Sequence, residues 1–264
     1  MAPLVRDIQF KDITIVYGEK ELGLDAPIML EGLPGVGNVG KLAAEHLIEQ
    51  VGAKKFATVY SKYFPPQVLV EEDGLSRLVC NEIYYHRKRG EDKHDLIILV
   101  GDYQGLTPEG QFMLSAAMIE VAKEQKVSEV YTLGGFGVGH MVEEPRVLGA
   151  ASDAKTIERL KALGVTFTRG EPGSGIVGAS GLLLAFAQLC EMPSACLMGE
   201  TSGYFVDPAS ARALLKKLQD ILGVKIDLSK LDEKASQIDK ITSKLKELEK
   251  VEERAGADDL RYIG

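Results

Sequence analysis

The sequence has no unbroken run of about 18 apolar residues, the length that would mark a membrane-spanning helix. Its start, MAPLVRDIQF, lacks the basic region and apolar stretch of a secretory leader. The expectation is a cytoplasmic protein with no membrane partner. Cysteine is scarce: Cys80, Cys190 and Cys196 are odd in number and sit among apolar residues, which suits reduced core thiols and not a disulfide framework or a zinc site. The four histidines, His46, His86, His94 and His140, have no metal-ligand spacing, so no metal is expected. No run of Lys and Arg interleaved with aromatics offsets the net charge of −8, and a field of that sign repels nucleic acid. Also absent are a Gly-x-Ser-x-Gly elbow, a His-Glu-x-x-His pair and a paired-cysteine motif, which removes the common hydrolase and oxidoreductase signatures.

What is present is enough apolar sequence, 45% of 264 residues, to build one large core with an appendage. From residue 13 to residue 222, short apolar or β-branched runs alternate with longer helical patterns, the signature of an α/β domain with a mostly parallel sheet. Residues 27–31, 57–60, 96–100, 130–133 and 195–200 are near-continuous apolar runs, which predicts central strands buried on both faces. Residues 68–71 and 75–84, separated by Glu72, Asp73 and Gly74, predict a hairpin. Helices are predicted over 39–50, 108–125, 154–163, 181–191 and 208–222. Thr107 before Pro108 and Asp207 before Pro208 mark two of the starts, each a capping side chain ahead of a proline at the first helical position.

After Gly223 the composition changes to Lys, Glu, Asp and regularly spaced aliphatics. The chain is therefore divided into a core domain (1–223), an amphipathic helical stalk (224–254) and a flexible tail (255–264). Ser229 with Asp232 resembles a capping pair, and Leu231, Ala235, Ile238, Ile241, Leu245, Leu248 and Val251 recur at steps of three and four. Such a stripe either folds back onto the core or packs against copies of itself as a short coiled coil. The spacing favours self-association, with Leu231, Ile238, Ile241, Leu245 and Leu248 as its contacts. The tail carries Leu260, Tyr262 and Ile263, apolar residues that a solvated segment does not need for its own stability.

The glycine motif Gly35-Val36-Gly37-Asn38-Val39-Gly40-Lys41 follows a predicted strand and opens a predicted helix. As Gly-x-Gly-x-x-Gly it suggests a dinucleotide turn, but Tyr60, Ser61, Lys62 and Tyr63 stand where an acid should hold the ribose. As Gly-x4-Gly-Lys it suggests a P-loop, with Asp102 as the acid that helps hold magnesium, but Leu42 stands where Ser or Thr must ligate the metal. An ATP-dependent ligase or other nucleotide enzyme using this loop is the alternative function. The bland explanation is a tight strand-to-helix turn with close helix–sheet packing. Further glycine clusters at 134–139 and 173–178 would join it at the carboxyl edge of the sheet, outlining a vestigial ligand cleft of Gly35, Gly37, Asn38, Gly40, Asp102, Gly135 and Gly137. Asp102, His140, Glu143, Glu144 and Ser174 are only loose candidates for chemistry, and no catalytic residue or cofactor is assigned.

Four segments in this order, EGLPGVGNVGKLAAEHLIEQ (31–50), VGDYQGLTPEG (100–110), LGGFGVG (133–139) and EPGSGIVGASGLLL (171–184), give the chain its resemblance to the archaeal branch of the proteasome assembly chaperone family. The resemblance spans residues 8–222. It implies a three-layer α/β fold like that of nucleoside phosphorylases, self-association into rings or compact oligomers, and binding to proteasome α-subunits or the α-ring, with a paralogous chaperone as a further partner. It does not imply catalysis. It also gives the tail a meaning, because proteins that dock on the α-ring often end in a hydrophobic residue, a tyrosine and any last residue. The segment Leu260-Arg261-Tyr262-Ile263-Gly264 places Tyr262 third from the end and Arg261 where a hydrophobic residue is expected. Leu260, Tyr262, Ile263 and Gly264 are the implied docking residues, gaining avidity if an oligomer displays several tails.

Overall fold

The five apolar runs all become strands, because a strand with helices on both sides needs apolar residues at successive positions, not alternate ones. The computed structural model describes residues 11–167 and 175–236, and the chain divides into two units between Ile226 and Asp227. The elements of the first unit, in chain order, are β1 (Ile13–Tyr17), β2 (Ile28–Gly32), α1 (Val39–Val51), β3 (Lys54–Ser61), β4 (Val68–Val70), β5 (Ser76–Leu78), β6 (Asn81–His86), β7 (Leu96–Gly101), α2 (Pro108–Glu124), β8 (Glu129–Gly137), β9 (Val147–Ala151), α3 (Ala154–Ala162), α4 (Ala179–Leu189), β10 (Ser194–Thr201) and α5 (Pro208–Leu222). Eight of the strands form one sheet in the order β1-β3-β6-β7-β2-β8-β10-β9. The neighbours β7, β2, β8 and β10 pair in parallel at its centre. β3 runs the same way, while β1, β6 and β9 run against it and pair antiparallel. β1 and β9, the two edge strands, were not among the predicted runs.

Helices cover both faces, giving three layers. α1 packs with α5, and α2 packs with α4. The core between the sheet and α2/α4 joins Met29, Ile97, Leu99 and Val130 to Leu114, Met118, Leu183 and Ala187. Both predicted proline-marked caps form: Thr107 Oγ1 accepts from Gly110 N at 3.0 Å, and Asp207 Oδ1 accepts from Ser210 N at 2.9 Å. β4 and β5 form the predicted hairpin, but residues 75–84 are not one strand. The chain breaks at Val79 and Cys80, where Cys80 O accepts from Asp102 N at 3.1 Å and Cys80 N donates to Asp102 Oδ2 at 3.0 Å. This exchange pins the crossing, so β6 leaves the hairpin and inserts between β3 and β7.

In the second unit, residues 229–236 are helical and Leu231 is buried. At the start of this helix Asp232 N donates to Leu228 O at 3.1 Å, and Ser229 N donates to Asp227 Oδ1 at 3.0 Å. The predicted stalk positions Ile238, Ile241, Leu245 and Leu248, and the tail residues Leu260, Tyr262, Ile263 and Gly264, lie outside the described residues. No helix among the described residues is long and apolar enough to cross a membrane.

Candidate functional site

The glycine segment turns the chain from β2 into α1 at the carboxyl edge of the sheet. Gly35 opens a single 3-10 turn over Val36–Asn38, and Gly37 (φ 61°) and Asn38 (φ 49°) take left-handed conformations before α1 begins. A side chain at Gly37 would be strained by its backbone and crowded by Thr201 Oγ1, 2.9 Å from where a Cβ would stand. Gly40 serves packing: a Cβ there would lie 2.1 Å from the Leu133 carbonyl oxygen, so its absence lets α1 rest directly on β8.

The structure brings Gly35, Gly37, Asn38 and Gly40 together with Gly135 and Gly137 of β8, but the protein's own chain fills the space between them. A Cβ on Gly135 would stand 2.2 Å from the Val36 carbonyl oxygen, and one on Gly137 would stand 3.5 Å from Val36 Cγ1. The segment after β10 closes on the same turn, with Asp207 N donating to Gly37 O at 2.9 Å. Val36, Phe136, Tyr204 and Phe205 are left exposed around it.

Asp102 is engaged elsewhere. Its carboxylate receives Arg77 Nη1 at 2.5 Å and Nη2 at 2.9 Å, a bidentate pair that anchors the β4/β5 hairpin to the end of β7. Burial opposes its charge, but the Arg77 guanidinium and the Cys80 N–H together hold the carboxyl below its ordinary value. Lys41 pairs along its own helix with Glu45 at 3.6 Å. Asp102 is thus tied to the hairpin and Lys41 to its own helix.

His140 Nδ1 lies 3.1 Å from Val138 O, on the exposed surface. Glu143 and Glu144 share no bond with it, and Ser174 lies outside the described residues. Among the described residues no group of three His, Cys, Asp or Glu side chains is placed to hold a metal. Burial pushes the Cys80 thiol up to about 11 and the Cys196 thiol up to about 12, so neither supplies a thiolate nucleophile near neutral pH.

Two residues inside the quoted motifs have roles that spacing does not reveal. Gln104 bridges the glycine turn to the start of α4, donating from Nε2 to Pro34 O at 2.8 Å and accepting at Oε1 from Ala179 N at 3.0 Å. Glu31, at the end of β2, is fully buried. It accepts from Leu33 N at 3.0 Å and from Ser180 Oγ at 2.9 Å. Burial raises its carboxyl to about 7, and these neutral donors offset only part of the cost. The signal for Glu31 was visible: an acid within a strand read as buried on both faces.

Comparisons with known proteins agree with this architecture. The model of the PAC2 family matches residues 29–246. An uncharacterized protein of Methanocaldococcus jannaschii is 39% identical over 247 residues, covering 91% of this chain and 93% of that protein. The crystal structure of Pyrococcus furiosus PbaB, an archaeal proteasome activator, superposes with a TM-score of 0.84 at 40% identity, covering 89% of this chain and 99% of that one. Pyrococcus furiosus PbaA, an archaeal homolog of proteasome-assembly chaperone, superposes in its monoclinic form with a TM-score of 0.74 at 26% identity, covering 96% and 100%.

Proposed function

The chain belongs to the PAC2 family, and from that premise we propose that it is a non-catalytic, cytoplasmic proteasome-binding protein, a homo-oligomer that engages proteasome α-subunits through its C-terminal segments. The observation that carries this is the 40% identity and TM-score of 0.84 to PbaB over nearly the whole of that chain. The geometry supports the non-catalytic half. The turn that resembles a phosphate cradle is filled by the protein's own backbone, and Asp102 is committed to Arg77. The edge of the sheet is thus a packed scaffold, and binding is assigned to Leu260, Tyr262 and Ile263, whose apolar side chains suit pockets between subunits. One segment binds weakly, and several on one oligomer bind with avidity higher by about 10²-fold.

Native mass spectrometry tests this directly. The full chain is mixed with archaeal proteasome α-subunits, alongside a variant carrying Leu260→Asp, Tyr262→Asp and Ile263→Asp. We expect an oligomer of this chain bound to α-subunits, and loss of the complex in the variant. Equal binding by both removes the C-terminal segment from the mechanism, and no binding by the intact chain removes the function.

A further inference from the structure

The inner side of α2 carries two polar side chains among its apolar ones. Gln111 and Ser115 stand four residues apart, one above the other on the same side of the helix. Ser115 is 2% exposed, and its Oγ has no hydrogen-bond partner among the described residues. Gln111 uses half of its amide. Its Nε2 donates to Gly105 O at 2.8 Å, while Oε1 is buried and likewise has no partner among the described residues. Both residues line a cavity between α2, α4 and the sheet, where Leu99, Leu114 and Leu183 form part of an apolar wall. Asn81, 4% exposed, is a third polar residue of the lining. The cavity gives the centre of a water molecule about 10 Å³ in which to move.

We propose that this cavity is a binding site for a single structural water, held by the Ser115 hydroxyl and the Gln111 side-chain carbonyl. Chemistry selects the ligand. A hydroxyl and a carbonyl without partners are costly to bury in an apolar wall, because each has given up its bonds to solvent. The carbonyl only accepts, so its partner must donate, whereas the hydroxyl can do either. Water meets both demands at once, and buried waters take two to four polar partners. No ionisable side chain among the described residues lines the cavity, so an ion would find no counter-charge there. Size selects the number. Positions spread over about 10 Å³ amount to a sphere roughly 2.7 Å across, no wider than the spacing of two hydrogen-bonded oxygens, so one water fits and a second would be pressed against the wall. The water completes a chain of bonds. Gln111 holds Gly105 O, and the adjoining Gln104 holds Pro34 O and Ala179 N. A bridge from Gln111 to Ser115 therefore ties the loop between β7 and α2 to the buried side of the helix that follows it.

The test is a high-resolution crystal structure of the full chain, with parallel structures of Ser115→Val and Ser115→Ala, and oxygen-17 relaxation dispersion of each protein in solution, which counts waters held longer than those of the surface. Water itself is the probe. In wild type a peak is expected within hydrogen-bond distance of both Ser115 Oγ and Gln111 Oε1. Ser115→Val removes the hydroxyl and adds a methyl to the cavity, so the peak should disappear and the count of long-lived waters should fall by one. Ser115→Ala removes the hydroxyl alone and should weaken the peak, and it decides the matter if the valine variant does not fold. A wild-type map with no peak at this position, while other buried waters are seen, overturns the proposal. So does a Ser115 hydroxyl turned onto the Gln111 backbone carbonyl, the ordinary bond of a serine inside a helix. A peak that persists at full strength in both folded variants removes Ser115 from the site and overturns it equally.

Discussion

Glu31→Gln should remove a pH-dependent cost from the stability of this protein. The carboxyl is fully buried and meets only neutral donors, so it ionises at about 7 in the folded chain against an ordinary value of 4.5. Well below 4.5 both folded and unfolded states hold the proton and Glu31 adds no pH dependence. As pH rises past 4.5 the unfolded chain releases its proton while the folded chain keeps it, so stability falls until about 7 and levels off above. Between pH 5 and pH 8 this cost grows by about 2–3 kcal/mol, from 1.36 kcal/mol for each pH unit of separation. Glutamine keeps the shape, its carbonyl can accept from Leu33 N, and its amide can donate to the Ser180 hydroxyl. The assay is urea unfolding of both proteins at several pH values. Asp102, Asp153 and Glu200, whose carboxyls are held low in the folded chain, contribute a slope of opposite sign at lower pH, but it is common to both proteins and cancels in the difference. The variant should gain on wild type by about 2–3 kcal/mol from pH 5 to pH 8. A difference that stays constant over that range would refute the burial of a neutral carboxyl at this position.

Gly40→Ala should destabilise the fold by about 3 kcal/mol or more, because the added methyl meets the Leu133 backbone, which cannot rotate away as a side chain would. A loss within about 1 kcal/mol in urea unfolding would show that α1 is free to lift off β8. Magnesium-ATP at millimolar concentration should leave the melting temperature unchanged in both wild type and Lys41→Ala, since a ligand stabilises only what it binds. A rise in wild type that the variant abolishes would restore the glycine turn as a nucleotide site.

Much of the fold was legible because its signals are local. A strand covered on both faces must be apolar at successive positions, so β2, β3, β7, β8 and β10 announce themselves. Thr107 and Asp207 mark helix starts through bonds only three residues long. The edge strands β1 and β9 were harder. Val147–Ala151 reads VLGAA, with residues poorly disposed to strands, and it is held by pairing with β10, 44 to 52 residues later in the register Val147↔Gly199 to Ala151↔Ala195. The character of the glycine turn was also out of reach. What decides between a cradle and a packed turn is the Leu133 and Gly135 backbone, the Asp207 N–H and the Arg77 guanidinium, none of which has any fixed spacing from the motif.

The sequence around α4 shows the same limit from the other side. An apolar helical pattern through residues 181–191 reads equally well as a helix buried among neighbours or as one face of an interface, because periodicity reports which residues avoid water and not what covers them. The fold supplies the missing term. Among the described residues Ala179, Leu183 and Ala187 of α4 are buried in the core and Phe186 packs on Phe112 of α2, while Leu189 is left exposed, so it is the packing of the layers and not the period that sorts the apolar positions of this helix.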